Sequence, residues 1–91
     1  MKWFLYILKC KDGSFYTGIT TNIKRRVIEH NLGMGAKSLS GKRPVKLAYS
    51  EAYNSQSEAR KREESIKSWK REYKLKLILS RHRVNLKRGL P

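Results

Sequence analysis

FYTGITTNIKRR, residues 15–26, changes character halfway along, and the reading of that change sets the fold. Phe15-Tyr16-Thr17-Gly18-Ile19-Thr20 is aromatic and β-branched, the composition of a strand. Thr20 or Thr21 then offers a hydroxyl to cap a helix whose apolar positions are Ile23, Val27 and Ile28. That helix fades near Leu32-Gly33. Upstream, KWFLYILKC (2–10) is a second strand-like run, and KDGS (11–14) carries an Asp-Gly turn signal, so residues 2–20 read as a β-hairpin. Loop length decides what the hairpin presents. A two-residue Asp12-Gly13 turn pairs positions with odd sums and puts Tyr6 and Tyr16 on opposite faces. A three-residue Lys11-Asp12-Gly13 loop with Gly13 left-handed pairs even sums and puts both on one face. The sequence permits either.

Downstream, GMGAKSLSGKRP (33–44) holds three glycines and a proline and reads as a basic loop, its glycines permitting close approach and movement. VKLAYSEAY (45–53) alternates Val45, Leu47 and Tyr49 as a third strand. Ser55 or Ser57 caps a helix over 56–68. A third helix over 70–82 carries Tyr73, Leu75, Leu77, Ile78 and Leu79. The order ββαβαα predicts one α+β domain over 1–83, a small three-stranded, mostly antiparallel sheet covered by helices, with a flexible basic tail at 84–91.

The chain has 91 residues, and 22 Lys+Arg against 7 Asp+Glu leave it at +15. An excess of that size calls for a polyanionic partner, and nucleic acid fits best. A membrane surface fits less well, because the apolar residues are spread over several elements instead of forming one amphipathic face. The longest apolar run, Trp3 to Leu8, is too short to span a bilayer or to serve as an export signal. The single cysteine, Cys10, excludes an intramolecular disulfide and reads as a small core residue, consistent with a reducing cytoplasm. No feature calls for an obligate protein partner.

Several residues could carry chemistry. Ala59, Glu63 and Ile66 fall on one helical stripe, and a carboxylate there needs a counter-charge or a metal. Glu64 points elsewhere, toward Arg60, Lys61 and Lys67, as an ion-pair partner. Arg26 and His30, at i and i+4, share a face. They could hold a phosphate and hand on a proton, or form part of a solvated basic face. Tyr6 and Tyr16 could equally be half-buried sheet residues with hydroxyls at the rim. Lys37, Lys42 and Arg43 in the basic loop, with Lys24 and Arg25 on the first helix, suit sequence-independent contact with a phosphate backbone, although the loop could also be a plain connector. His82 has no evident role.

Taken in order, these residues resemble the GIY-YIG nuclease superfamily, and most closely its small stand-alone bacterial single-domain subfamily. The first strand motif appears as Phe4-Leu5-Tyr6 and the second as Tyr16-Thr17-Gly18. Arg26 stands ten residues after Tyr16, His30 one turn later, and SEARKREESIK presents Glu63. Phe4 replaces the glycine of the first motif, Thr17 the isoleucine of the second, and Ile19 stands where some members have lysine. The resemblance implies an endonuclease acting on DNA more than RNA. Tyr6, Tyr16, Arg26, His30 and Glu63 would be catalytic, and Glu63 would hold one Mg²⁺ or Mn²⁺ ion. Tyr16, or Tyr6 through water, would draw the proton from the attacking water, and Arg26 would clamp the phosphate. The alternative is a non-catalytic nucleic-acid-binding module on the same fold.

Overall fold

The computed structural model describes residues 1–88, with side chains described through residue 80. Strands β1 (Trp3–Lys9) and β2 (Phe15–Thr20) lead into helix α1 (Ile23–Asn31), then β3 (Lys46–Tyr53), α2 (Gln56–Lys67) and α3 (Arg71–Arg88). The sheet runs β2-β1-β3, with β1 antiparallel to both neighbours.

The hairpin takes the three-residue loop. Cys10 N–H donates to the Ser14 carbonyl, Gly13 N–H to the Cys10 carbonyl, and Gly13 sits at φ +86°. A left-handed φ costs glycine nothing and favours it over every other residue here. Asp12 fixes the bend by accepting from both the backbone N–H and the hydroxyl of Ser14. The register is therefore even, Tyr6 opposite Gly18 and Leu8 opposite Tyr16, which places Tyr6 and Tyr16 on one face.

The central strand is covered on both sides, so Leu5 through Leu8 are all buried instead of alternating. On one face Tyr6, Leu8 and Cys10 pack with Leu39 and Val45, under Val27 of α1 and Ala36. On the other, Leu5 and Ile7 meet Ile66 of α2 and Ile78 of α3, with Phe15, Tyr49 and Trp69 around them. Each fully buried leucine or isoleucine contributes about 1.5–3 kcal/mol, so β1 is the main source of cohesion.

Several features depart from the sequence reading. A β-bulge lies in β3, where Ile7 faces Tyr49 but Leu8 faces Leu47. Val45 and Leu47 thus belong to the face of Leu8, whereas Tyr49, Glu51 and Tyr53 belong to the face of Ile7, and simple alternation across Val45, Leu47 and Tyr49 fails. The α1 cap is Asn22, not Thr20 or Thr21, because its side chain accepts from Arg25 N–H while Thr20 Oγ1 accepts from Asn22 N–H. Ile28 is half exposed, whereas Val27 turns inward.

At α2 the cap is Ser55, accepting from Glu58 N–H. Helix α3 runs to Arg88, past the expected end at 82, and the last residues of the expected basic tail, 89–91, lie outside the described residues, as does the side chain of His82. The loop over 33–44 is anchored, not loose. Leu39 is buried within a short 3-10 turn, Lys11 N–H donates to the Lys42 carbonyl, and the Asn31 side chain makes two bonds to the Val45 backbone, at 2.7 and 3.1 Å. Among the described residues no helix is long and apolar enough to cross a membrane.

Candidate active site

The even register brings Tyr6 and Tyr16 together with their ring centroids 6.3 Å apart. His30, from the last turn of α1, lies beneath both, 6.0 Å from Tyr6 and 5.3 Å edge-on to Tyr16. Its Nε2 is hydrogen-bonded to the Tyr6 hydroxyl at 2.9 Å, and its Nδ1 accepts from the Ala36 backbone N–H at 3.4 Å. The imidazole is 1 % exposed, so its ring is sealed behind its neighbours and presents no face to solvent. The space for this packing comes from Gly18. A Cβ there would stand 2.6 Å from the Tyr6 hydroxyl oxygen, closer than any real contact.

The electrostatics follow from burial. Burial pushes the Tyr6 phenol up to about 12, the nearby Tyr16 adds to this, and the Arg26 guanidinium opposes it. Ionising Tyr6 near neutral pH is therefore costly. Burial also lowers the His30 pKa, and the positive charge of Arg26 works in the same direction, so the ring is held neutral. Tyr16 keeps partial access to solvent.

Arg26 shares the His30 face of α1 and is half-buried, donating from Nη1 to Glu29 Oε1 at 3.0 Å. Glu29 also lies 3.9 Å from Arg25. The helix spacing of Glu29 from both arginines was legible in the sequence, yet Glu29 did not figure among the expected site residues. Its bond uses one of the five N–H donors of Arg26 and raises the pKa of that guanidinium further.

Glu63 sits on the inward stripe between the buried Ala59 and Ile66, with its side chain 17 % exposed. Its carboxylate pairs with Lys67 at 3.2 Å, a lysine expected beside Glu64. It is close enough to Tyr6 for its charge to oppose formation of the phenolate. Among the described residues no cluster of three or more His, Cys, Asp or Glu could enclose a metal. The donor set here is one sheltered carboxylate. That fits a hard cation such as Mg²⁺ or Mn²⁺, which keeps most of its water, and does not fit a metal that demands a full protein cage.

The sequence reading missed Glu51, which is as sheltered as Glu63. It accepts from Arg62 Nε and Nη2 at 3.0 and 3.1 Å, from Tyr53 at 2.6 Å and from Tyr49. Burial alone would raise its pKa, but the bonds from Arg62 and the two tyrosines outweigh it and hold the carboxyl below its ordinary value. This network clasps α2 to β3 one residue before Glu63, so it sets how α2 presents Glu63. The bulge that turns Glu51 toward α2 leaves no mark in the sequence.

The basic residues spread around this centre. Lys24 and Arg25 are exposed on α1, and together with Asn22, Ile28 and Glu29 they line a shallow hollow of about 270 Å³. Lys37 opens the 3-10 turn and is exposed. Arg43 packs its guanidinium against Gly33, where a Cβ would lie 2.5 Å from Nη1. Lys42 is half-buried beside it.

Residues 2–76 match the family model described as the GIY-YIG catalytic domain. A UPF0213 protein of Staphylococcus saprophyticus is 53 % identical over 85 % of this chain and 94 % of its own. One from Staphylococcus haemolyticus is 51 % identical over 88 % and 98 %. Two solution NMR structures share the fold. A UPF0213 protein from Bacillus halodurans is 42 % identical, with TM-score 0.56, covering 86 % of this chain and 83 % of that one. A protein from E. faecalis is 40 % identical, with TM-score 0.62, covering 90 % and 88 %.

Proposed function

The chain belongs to the GIY-YIG catalytic-domain family, and from that premise we propose that it is a divalent-metal-dependent endonuclease that hydrolyses phosphodiester bonds in DNA. The observation that carries this reading is the convergence of Tyr6, Tyr16 and His30 on one sheet face, with the charges of Arg26 and Glu63 both acting on the Tyr6 hydroxyl. A packed β-sheet needs none of these polar groups to meet.

The roles follow from access and charge. Tyr6 is enclosed and held as a neutral phenol, which suits it to hydrogen-bonding and orienting the reacting group. Tyr16, less enclosed and on the same face, would take the proton of the attacking water. Arg26 retains N–H donors for a phosphate oxygen and stabilises the charge that develops on it. Glu63 would hold the ion, with Lys67 moving aside, and the ion when bound neutralises negative charge on the phosphate. Lys24, Arg25, Lys37, Lys42 and Arg43 would hold flanking phosphates without reading sequence.

The test is nicking of a supercoiled plasmid with Mn²⁺ or Mg²⁺ by wild type, Tyr16→Phe and Glu63→Ala, with branched, single-stranded and RNA substrates alongside. Cleavage that needs the metal and both residues is expected. Variants that cut as well as wild type would remove the assignment. Salt-dependent, metal-independent binding without any cleavage would make the chain a non-catalytic nucleic-acid-binding module.

A further inference from the structure

We propose that the backbone N–H of Ala36 fixes His30 as its neutral Nε2–H tautomer, which makes His30 a positioning residue that turns the Tyr6 hydroxyl hydrogen away from the imidazole. Only the catalytic consequence rests on the nuclease reading. The tautomer stands on the local geometry alone.

An imidazole has two ring nitrogens, and a neutral ring carries its proton on one of them. Ala36 N–H is a donor and cannot be anything else, and it lies 3.4 Å from Nδ1. A proton on Nδ1 would set two donors against each other, and an imidazolium would do the same. The remaining form carries the proton on Nε2, and the partner of Nε2 is the Tyr6 oxygen at 2.9 Å. His30 therefore donates and Tyr6 accepts.

The close approach of the loop has its own signature in Gly35. A Cβ at that position would lie 1.9 Å from His30 Nδ1, so only glycine lets the chain run directly over this nitrogen. The loop is pinned there by the Asn31–Val45 bonds and by buried Leu39. Gly35 and Ala36 thus serve the site through backbone alone. Tyr6 is boxed between His30 on one side and Gly18 on the other. With its oxygen already accepting from His30, and the Arg26 guanidinium also bonded to it, its own hydrogen is turned away from the imidazole. His30, at 1 % exposure, then has neither a free proton acceptor nor a path to solvent, and it shapes the reaction by orienting Tyr6.

The deciding measurement is the long-range ¹H–¹⁵N spectrum of the His30 ring in the ¹⁵N-labelled wild-type chain at pH 7, without metal or nucleic acid. The expected pattern is an unprotonated Nδ1 and a protonated Nε2, with a slowly exchanging Ala36 amide. The reverse tautomer, or two equivalent protonated nitrogens, overturns the proposal whatever the activity. In cleavage assays, His30→Leu should lower kcat by roughly tenfold to a hundredfold with KM little changed, and His30→Gln, which can place a donor near Nε2, should recover most of that. Full activity in His30→Leu overturns the positioning role. A wild-type chain with the expected tautomer but no cleavage would remove the nuclease reading and leave the tautomer assignment standing.

Discussion

Replacing Glu51 by alanine tests the clasp between β3 and α2. The carboxylate receives both forks of Arg62 and two tyrosine hydroxyls, with the side chains of Glu51 and Arg62 only 18 % and 30 % exposed. Removing one partner of a buried pair costs about 3–5 kcal/mol, because the other charge is left uncompensated. Solvent reaches Arg62, so a value of about 2–3 kcal/mol is the better expectation. In a domain of this size that lowers Tm by roughly 10–20 °C. Urea unfolding of wild type, Glu51→Ala, Arg62→Ala and the double variant isolates the pair, with an expected coupling of about 1–2 kcal/mol. The sign with pH is also set. A carboxyl depressed in the fold stabilises above its unfolded value of about 4.3 and loses that contribution as pH falls through the lower, folded value. A coupling within about 0.5 kcal/mol of zero would refute the reasoning, since distant, independent sites add to that accuracy. The Arg62 bonds would then be surface contacts of no consequence for how Glu63 is held.

Other expectations follow from single observations. Thr17 Oγ1 is buried with no hydrogen-bond partner among the described residues, so Thr17→Val should stabilise by about 1 kcal/mol, read as a rise in Tm; a fall would mean the hydroxyl is satisfied. Gly18→Ala drives a methyl into the Tyr6 hydroxyl, and an overpacking loss of about 1–3 kcal/mol together with loss of cleavage is expected in melts and nicking assays. His30 is depressed in the fold by burial and by Arg26, with Glu29 opposing and Tyr6 and Tyr16 packed against it, so the unfolded chain binds the proton more readily. Stability should therefore fall as pH drops below the unfolded value of about 6.5, and His30→Gln should flatten that slope in denaturant titrations. Lys37→Ala should reduce the salt slope of DNA binding by about 0.9 and weaken binding equally across sequences, measured by fluorescence anisotropy.

Much of the fold was legible because it depends on local chemistry. Phe15 to Thr20 is a strand by composition, Ser55 caps α2 by hydrogen bonding to a backbone three residues away, and the Asp-Gly turn needs only glycine's left-handed freedom. The stripe of Ala59, Glu63 and Ile66 is readable from helix spacing, and so is the Arg26–Glu29 pair. Other features were hidden because long-range pairing decides them. The β3 bulge shifts which residues face α2, so Glu51 became a network centre while Leu47 stayed half exposed.

The order ββαβαα, the strong positive charge and the set of residues able to do phosphate chemistry are properties of composition and near-neighbour spacing, and so are legible in the chain before it folds. Tertiary structure alone decided that the hairpin takes the even register and so turns Tyr6 and Tyr16 to the same face. It also decided that His30 is sealed beneath them and that the backbone at Gly35 and Ala36 reaches its Nδ1. The physical reason is that a one-residue change in loop length flips every side chain of a strand to the other face at little local cost, and only packing against the rest of the chain chooses between the two.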